Sequence, residues 1–175
     1  MATARCWHGI CFPSVDHGGP GPPQGNADRT PMSETDALQP TLDFLRHHAP
    51  FAEMGTAELQ SLAAKAKLAF FPRGEVITAP EQGPAEYFYI IKQGRVRGET
   101  GGDGEAWELV TGESFPIGAL LGHRPVRTRH RAVEDTFCFE LPRSEFDRLR
   151  EASPVFGDFC ARRLASLLDQ ALRRG

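Results

Sequence analysis

The chain has 175 residues, 40% of them hydrophobic and 25% charged, which suits one ordinary domain with a tail and is too apolar for a chain disordered throughout. Twenty Lys and Arg against 23 Asp and Glu give no net field strong enough to gather nucleic acid. No run approaches the ~18 to 20 apolar residues of a membrane span, and the N-terminus lacks the order of a signal peptide, so a cytoplasmic protein is expected, with Cys6, Cys11, Cys138 and Cys160 as free thiols.

Charge is unevenly spread. Residues 32–123 hold 7 Lys and Arg against 13 acids, whereas 124–175 hold 11 Arg, no Lys and 8 acids. Arginine is the side chain suited to planar anions, although most such residues line the wet faces of helices.

Residues 1–31, centred on Gly18-Gly19-Pro20-Gly21-Pro22-Pro23, show no apolar periodicity and are expected to be a disordered tail. Cys6, His8, Cys11 and His17 lack zinc-ligand spacing, and no metal site is expected. Met32-Ser33-Glu34-Thr35 resembles a natural start.

Residues 32–154 read as the domain. Leu42, Leu45 and Phe51, then Leu59, Leu62, Ala63 and Ala66, recur at helical spacing, which predicts two short helices divided by Pro50, the second capped by Thr56. Seven strands are then predicted, at Leu68–Phe71, Glu75–Thr78, Tyr87–Lys92, Arg95–Gly98, Glu105–Val110, Arg129–Ala132 and Thr136–Leu141. Glycine-rich turns such as Gln93-Gly94 and Gly101-Gly102-Asp103-Gly104 separate them. Short strands at this spacing form a sandwich, jelly roll or small barrel.

Helix returns with Pro142 in a first turn and Phe146 and Leu149 on one face, until Ser153-Pro154 interrupts. The last segment, 155–175, carries Phe156, Phe159, Cys160, Leu164, Leu167, Leu168, Ala171 and Leu172 on a broad apolar stripe. Such a helix needs a partner. Either Phe156, Cys160, Leu164, Leu167 and Ala171 form a seam with a second copy, or the same face folds back on its own strands.

Four segments in fixed order carry a resemblance: Phe71-Pro72-Arg73-Gly74-Glu75-Val76-Ile77, the hairpin Tyr87 to Val96, Gly112-Glu113-Ser114-Phe115, and Ala132 to Thr136 followed by Leu141 to Phe146. Together they resemble the cyclic nucleotide-binding domain family over about residues 42–174. The likeness extends to the N-terminal sensor module of bacterial proteins that continue into CBS and putative nucleotidyltransferase domains, whose phosphate cassette resembles Phe115-Pro116-Ile117-Gly118-Ala119-Leu120-Leu121. The resemblance implies a mainly β fold with flanking helices (α+β), a β jelly roll between N-terminal helices and two C-terminal helices. It also implies a non-catalytic sensor whose ligand is a cyclic nucleotide or another nucleotide.

In that family a short helix presents backbone N–H groups to the phosphate. Gly118 to Leu121 can form it, and Gly118 lets backbone approach a ligand. The resemblance also implies a Glu for the ribose and an Arg for the phosphate. Here Ile117 and Val126 occupy those positions. Losing both contacts removes roughly 1.5–3 kcal/mol each, two to four decades of affinity. The candidate site is thus Phe115, Ile117, Gly118, Ala119, Leu120, Val126, Arg127, Thr128 and Arg129. Arg127 or Arg129 is the expected substitute phosphate contact, or else the two alternate outward into solvent, and His123 and Arg124 are expected to be exposed.

Enzyme readings find little support. No His-x-His pair suggests a cupin metal site, and no Gly-x-Ser-x-Gly elbow suggests a hydrolase. A DNA-binding helix-turn-helix would need some 60 residues after the long helix, and only Gly175 follows Arg174. The chain is then a fragment, or a sensor that signals as a homodimer or through a separate protein, with no DNA or membrane partner. The alternative is a ligand-free interaction or dimerisation module that keeps only the fold.

Overall fold

The computed structural model describes residues 34–101 and 106–173, without the side chains of residues 34–36 and 171. The expected tail at 1–31, with its four metal-ligand candidates, lies outside the described residues.

Among the described residues two helices come first, α1 (Glu34–Arg46) and α2 (Thr56–Lys65), linked through a 3-10 turn at Phe51–Glu53. Leu42, Leu45, Leu59, Leu62 and Ala63 are buried on their inner faces, as their spacing requires. Thr56 is not the cap of α2. Gly55 holds that position, and its N–H donates to the Glu58 carboxylate at 3.2 Å, because an acid three residues past a cap can reach back to it.

Eight strands follow: β1 (Lys67–Phe71), β2 (Val76–Thr78), β3 (Tyr87–Gln93), β4 (Arg95–Thr100), β5 (Ala106–Val110), β6 (Ser114–Phe115), β7 (Thr128–Ala132) and β8 (Thr136–Pro142). They pair antiparallel in two four-stranded sheets, in the orders β1-β8-β3-β6 and β2-β7-β4-β5. Seven match the predicted runs to within a residue or two at most ends. The eighth, β6, has two residues, too few for alternation to show.

Strand β3 of the first sheet is covered on both faces. Phe88 and Ile90 of β3 join a core with the helices, while Tyr89 and Ile91 join a second core between the sheets. A strand covered on both sides reads as an unbroken apolar run, which is how Tyr87 to Ile91 looks in the sequence.

Three helices complete the fold: α3 (Ile117–Leu121), α4 (Arg143–Ala152) and α5 (Pro154–Leu172). Pro142 ends β8 and precedes α4, so it is not in that helix's first turn. Ser153-Pro154 begins α5 rather than merely interrupting a helix. The buried Ser153 hydroxyl accepts from the Phe156 N–H at 3.4 Å and donates to Glu58 at 2.8 Å, an N-cap that also ties α5 to α2.

Helix α5 has two unlike halves, and this corrects the single seam expected along it. Phe156 and Cys160 are buried in the chain's own core. Leu164, Leu168 and Leu172 are 37%, 57% and 81% exposed. Among the described residues the free thiols are Cys138 and Cys160; both are buried, and burial pushes their pKa values up to about 12 and about 11. Among the described residues no helix is long and apolar enough to cross a membrane.

Candidate functional site

A cleft of about 400 Å³ opens where α3 and the loop after it, the β4–β5 hairpin, β7 and α5 meet. That volume falls in the usual range for small-molecule sites. Of the residues singled out in the sequence, Phe115, Ile117, Gly118, Ala119, Val126, Arg127 and Thr128 line it. Two do not. Leu120 is wholly buried in the helical core, and Arg129 forms an ion pair with Glu81.

The fate of Arg129 follows from the pleat. Successive side chains of a strand point to opposite faces, so Thr128, His130 and Ala132 turn inward, with His130 and Ala132 fully buried. Arg129 and Arg131 turn outward, Arg129 to Glu81 and Arg131 to the Gly74 carbonyl at 2.7 Å. Arg127 precedes β7, is exposed and still borders the cleft.

Ile117 and Val126 are 5% and 3% exposed and belong to the apolar core. Where the resemblance implied a carboxylate and a guanidinium, the wall is hydrocarbon. The amides of Ala119 and Leu120, expected to face an anion, both donate to the Pro116 carbonyl at 3.2 Å. Gly118 also has another use: a Cβ there would sit 2.9 Å from Leu167 Cδ1, so its missing side chain makes room for α5.

The sequence reading missed Trp107, His130, Arg163 and Leu167, all of which line the cleft. Trp107 on β5 lies directly opposite Gly98 on β4. A Cβ on Gly98 would come within 2.6 Å of the indole, so only glycine lets the ring lie flat across the hairpin. His130 stacks on Phe115 at 4.6 Å between ring centres and meets Trp107 edge-on at 6.4 Å. Its Nδ1 is 2.7 Å from the Thr78 hydroxyl.

Burial holds the His130 pKa down at about 4, so the ring is neutral at pH 7 and brings no charge to the cleft. A histidine whose folded value lies below its unfolded value of about 6.5 binds its proton better in the unfolded chain. Its contribution is intact above about pH 6.5 and declines as pH falls towards 4, by about 3 kcal/mol in all. NMR of the imidazole carbons is expected to show His130 still neutral at pH 5.5. A midpoint near 6.5 would mean water reaches the ring.

The formal charge of the cleft is carried by arginine. Among the described residues Arg124, Arg127 and Arg163 line it together with no Asp or Glu. Among the described residues none of the three forms an ion pair. His123, beside them, is exposed, adopts a φ of 48° and contacts Arg143.

Residues 68–153 match the family profile described as Cyclic nucleotide-binding domain. That segment is a cyclic nucleotide-binding domain. No curated protein sequence matches the chain, but solved structures do. The sensor domain of the transcriptional regulator DNR from Pseudomonas aeruginosa is 17% identical, with a TM-score of 0.66 over 79% of this chain and 95% of that one. The regulatory domain of Toxoplasma gondii PKA with cAMP is 20% identical, with a TM-score of 0.66 over 75% and 51%. The regulatory subunit of a cAMP-independent protein kinase A from Trypanosoma brucei was solved bound to cAMP as a triple mutant. It is 19% identical, with a TM-score of 0.59 over 71% and 51%. The chain thus spans about half of the two kinase regulatory chains. At these identities the likeness is one of fold. The cleft between α3 and α5 is placed by the lining residues themselves, and its chemistry rests on their side chains.

Proposed function

We propose that the chain is a non-catalytic, cytoplasmic sensor module whose cleft takes a small ligand without the ribose and phosphate contacts usual in its family, and which passes occupancy outward through α5. One observation supports this above the others: α5 itself contributes Arg163 and Leu167 to the cleft. A ligand there would touch the helix whose far half is exposed, so binding and output share one element. The receiver is a second copy, or a separate protein or domain of the CBS and nucleotidyltransferase kind. Neither DNA nor a membrane is part of this reading.

Cyclic AMP is expected to bind more weakly than about 100 μM, because hydrocarbon at Ile117 and Val126 replaces two charged contacts. The test is melting of the protein with a panel of cyclic mono- and dinucleotides and adenine nucleotides, since a ligand at a hundred times its Kd adds about 2.7 kcal/mol. If none raises the melting temperature, nucleotides are excluded as the ligand class. Tight cAMP binding would overturn the diverged cassette.

The stripe of Leu164, Leu168 and Leu172 favours a second reading, an interaction module that needs no ligand. Under either reading Leu164→Glu, at an exposed position, should split a dimer in sedimentation while leaving the circular dichroism unchanged. A wild type that is monomeric at high concentration would rule out self-pairing.

A further inference from the structure

We propose that the cleft selects an organic oxyanion on a flat apolar body, such as an aromatic carboxylate or an aryl phosphate without sugar hydroxyls. Arg127 and Arg163 hold the anion, and Trp107 flanks the ring. This deepens the reading above and rests on its claim that the cleft takes a small ligand.

Three arginines reach one cleft from two parts of the chain, the loop after α3 and the middle of α5, and among the described residues no lining carboxylate neutralises them. Guanidinium groups drawn to one cavity without acidic partners favour an anion there, and their planar forks suit carboxylate and phosphate oxygens equally. His130 faces the cleft from β7 and Arg124 borders it from the loop, so among the described lining residues no group opposes a negative charge.

The body of the ligand is read from the remaining walls. Leu109, Phe115, Ile117, Val126 and Leu167 are apolar, and Trp107 lies flat over Gly98. A ribose hydroxyl pressed against Ile117 or Val126 would give up water without gaining a partner, weakening binding about tenfold or more for each such group. A flat aromatic body gives up nothing there and gains contact with Trp107 and Phe115. The site thus discriminates through unsatisfied hydroxyls against nucleosides and through its arginines against neutral aromatics.

The experiment is calorimetry on the full chain with four probes: 1-naphthaleneacetate, 1-naphthyl phosphate, the neutral 2-(1-naphthyl)ethanol, and cAMP. Expected is that at least one naphthyl anion binds tenfold or more tighter than both the alcohol and cAMP, and which anion is stronger tells carboxylate from phosphate recognition. Arg127→Gln and Arg163→Gln, both at positions outside the core, should each weaken the anion about five- to tenfold, leave the alcohol unchanged and leave the melting temperature in place. Alcohol binding as tight as the anions would overturn the role of the arginines. Cyclic AMP binding tighter than either naphthyl anion would overturn the ligand class while leaving the sensor reading intact. If no probe binds at about 1 mM but a nucleotide from the melting panel does, this proposal alone fails, and if nothing binds in either experiment both readings fail.

Discussion

Replacing Phe156 with alanine is expected to lower the melting temperature by about 10–15 °C. The ring is fully buried where α5 enters the core. It meets Phe88 at 5.7 Å and Phe146 at 5.6 Å, both edge-on, and Phe51 at 6.2 Å. Those partners come from β3, α4 and the 3-10 turn, so one side chain fastens three elements to α5. Truncating a buried phenylalanine costs about 3–5 kcal/mol through lost transfer energy and the cavity left behind. In a chain of this size each kcal/mol shifts the midpoint by about 2–4 °C. Leu168→Ala on the exposed half of the same helix is the control, expected within about 0.5 kcal/mol of wild type. A drop for Phe156→Ala below about 5 °C would show that α5 is held elsewhere.

The second large effect is a trade between stability and affinity. Ile117→Glu combined with Val126→Arg is expected to bind cAMP at least tenfold more tightly than wild type and to melt well below it without ligand. The affinity gain follows from restoring two charge-assisted contacts at roughly 1.5–3 kcal/mol each. The loss of stability follows from position, because both residues are core members and a buried charge lacking its partner costs several kcal/mol. Calorimetry gives the first quantity and thermal melting with and without cAMP the second. An affinity within twofold of wild type would show that the backbone of α3, whose Ala119 and Leu120 amides are turned to Pro116, cannot present a cyclic phosphate whatever the side chains.

The β architecture was largely legible, because its strands alternate or run apolar between glycine turns and the helices keep their spacing. What escaped did so for local reasons. Ser114–Phe115 is too short to show a period. Trp107 had a readable signal, a glycine opposite it inside a strand. His130 had one too, since the alternation of Thr128-Arg129-His130-Arg131-Ala132 sends arginine outward and histidine inward. Arg163 and Leu167 carried none, because their place in the cleft depends on the angle at which α5 crosses α3, and that angle is set by packing around Phe156 and Gly118 rather than by any local pattern. The stripe on α5 misled for a related reason: apolar spacing shows that a face is covered but not where its cover ends.

That unequal cover gives α5 a gradient of local stability. Its first turns can open only when the core around Phe156 opens, so their amides should share the protection of the whole fold. The turns beyond Leu167 bury little and are held chiefly by backbone hydrogen bonds and the Arg173–Asp169 pair at 2.9 Å, so their opening costs only a small part of the global free energy. The helix is thus an anchored lever with a fraying tip, in which a binding partner could remodel the outer turns without disturbing the jelly roll.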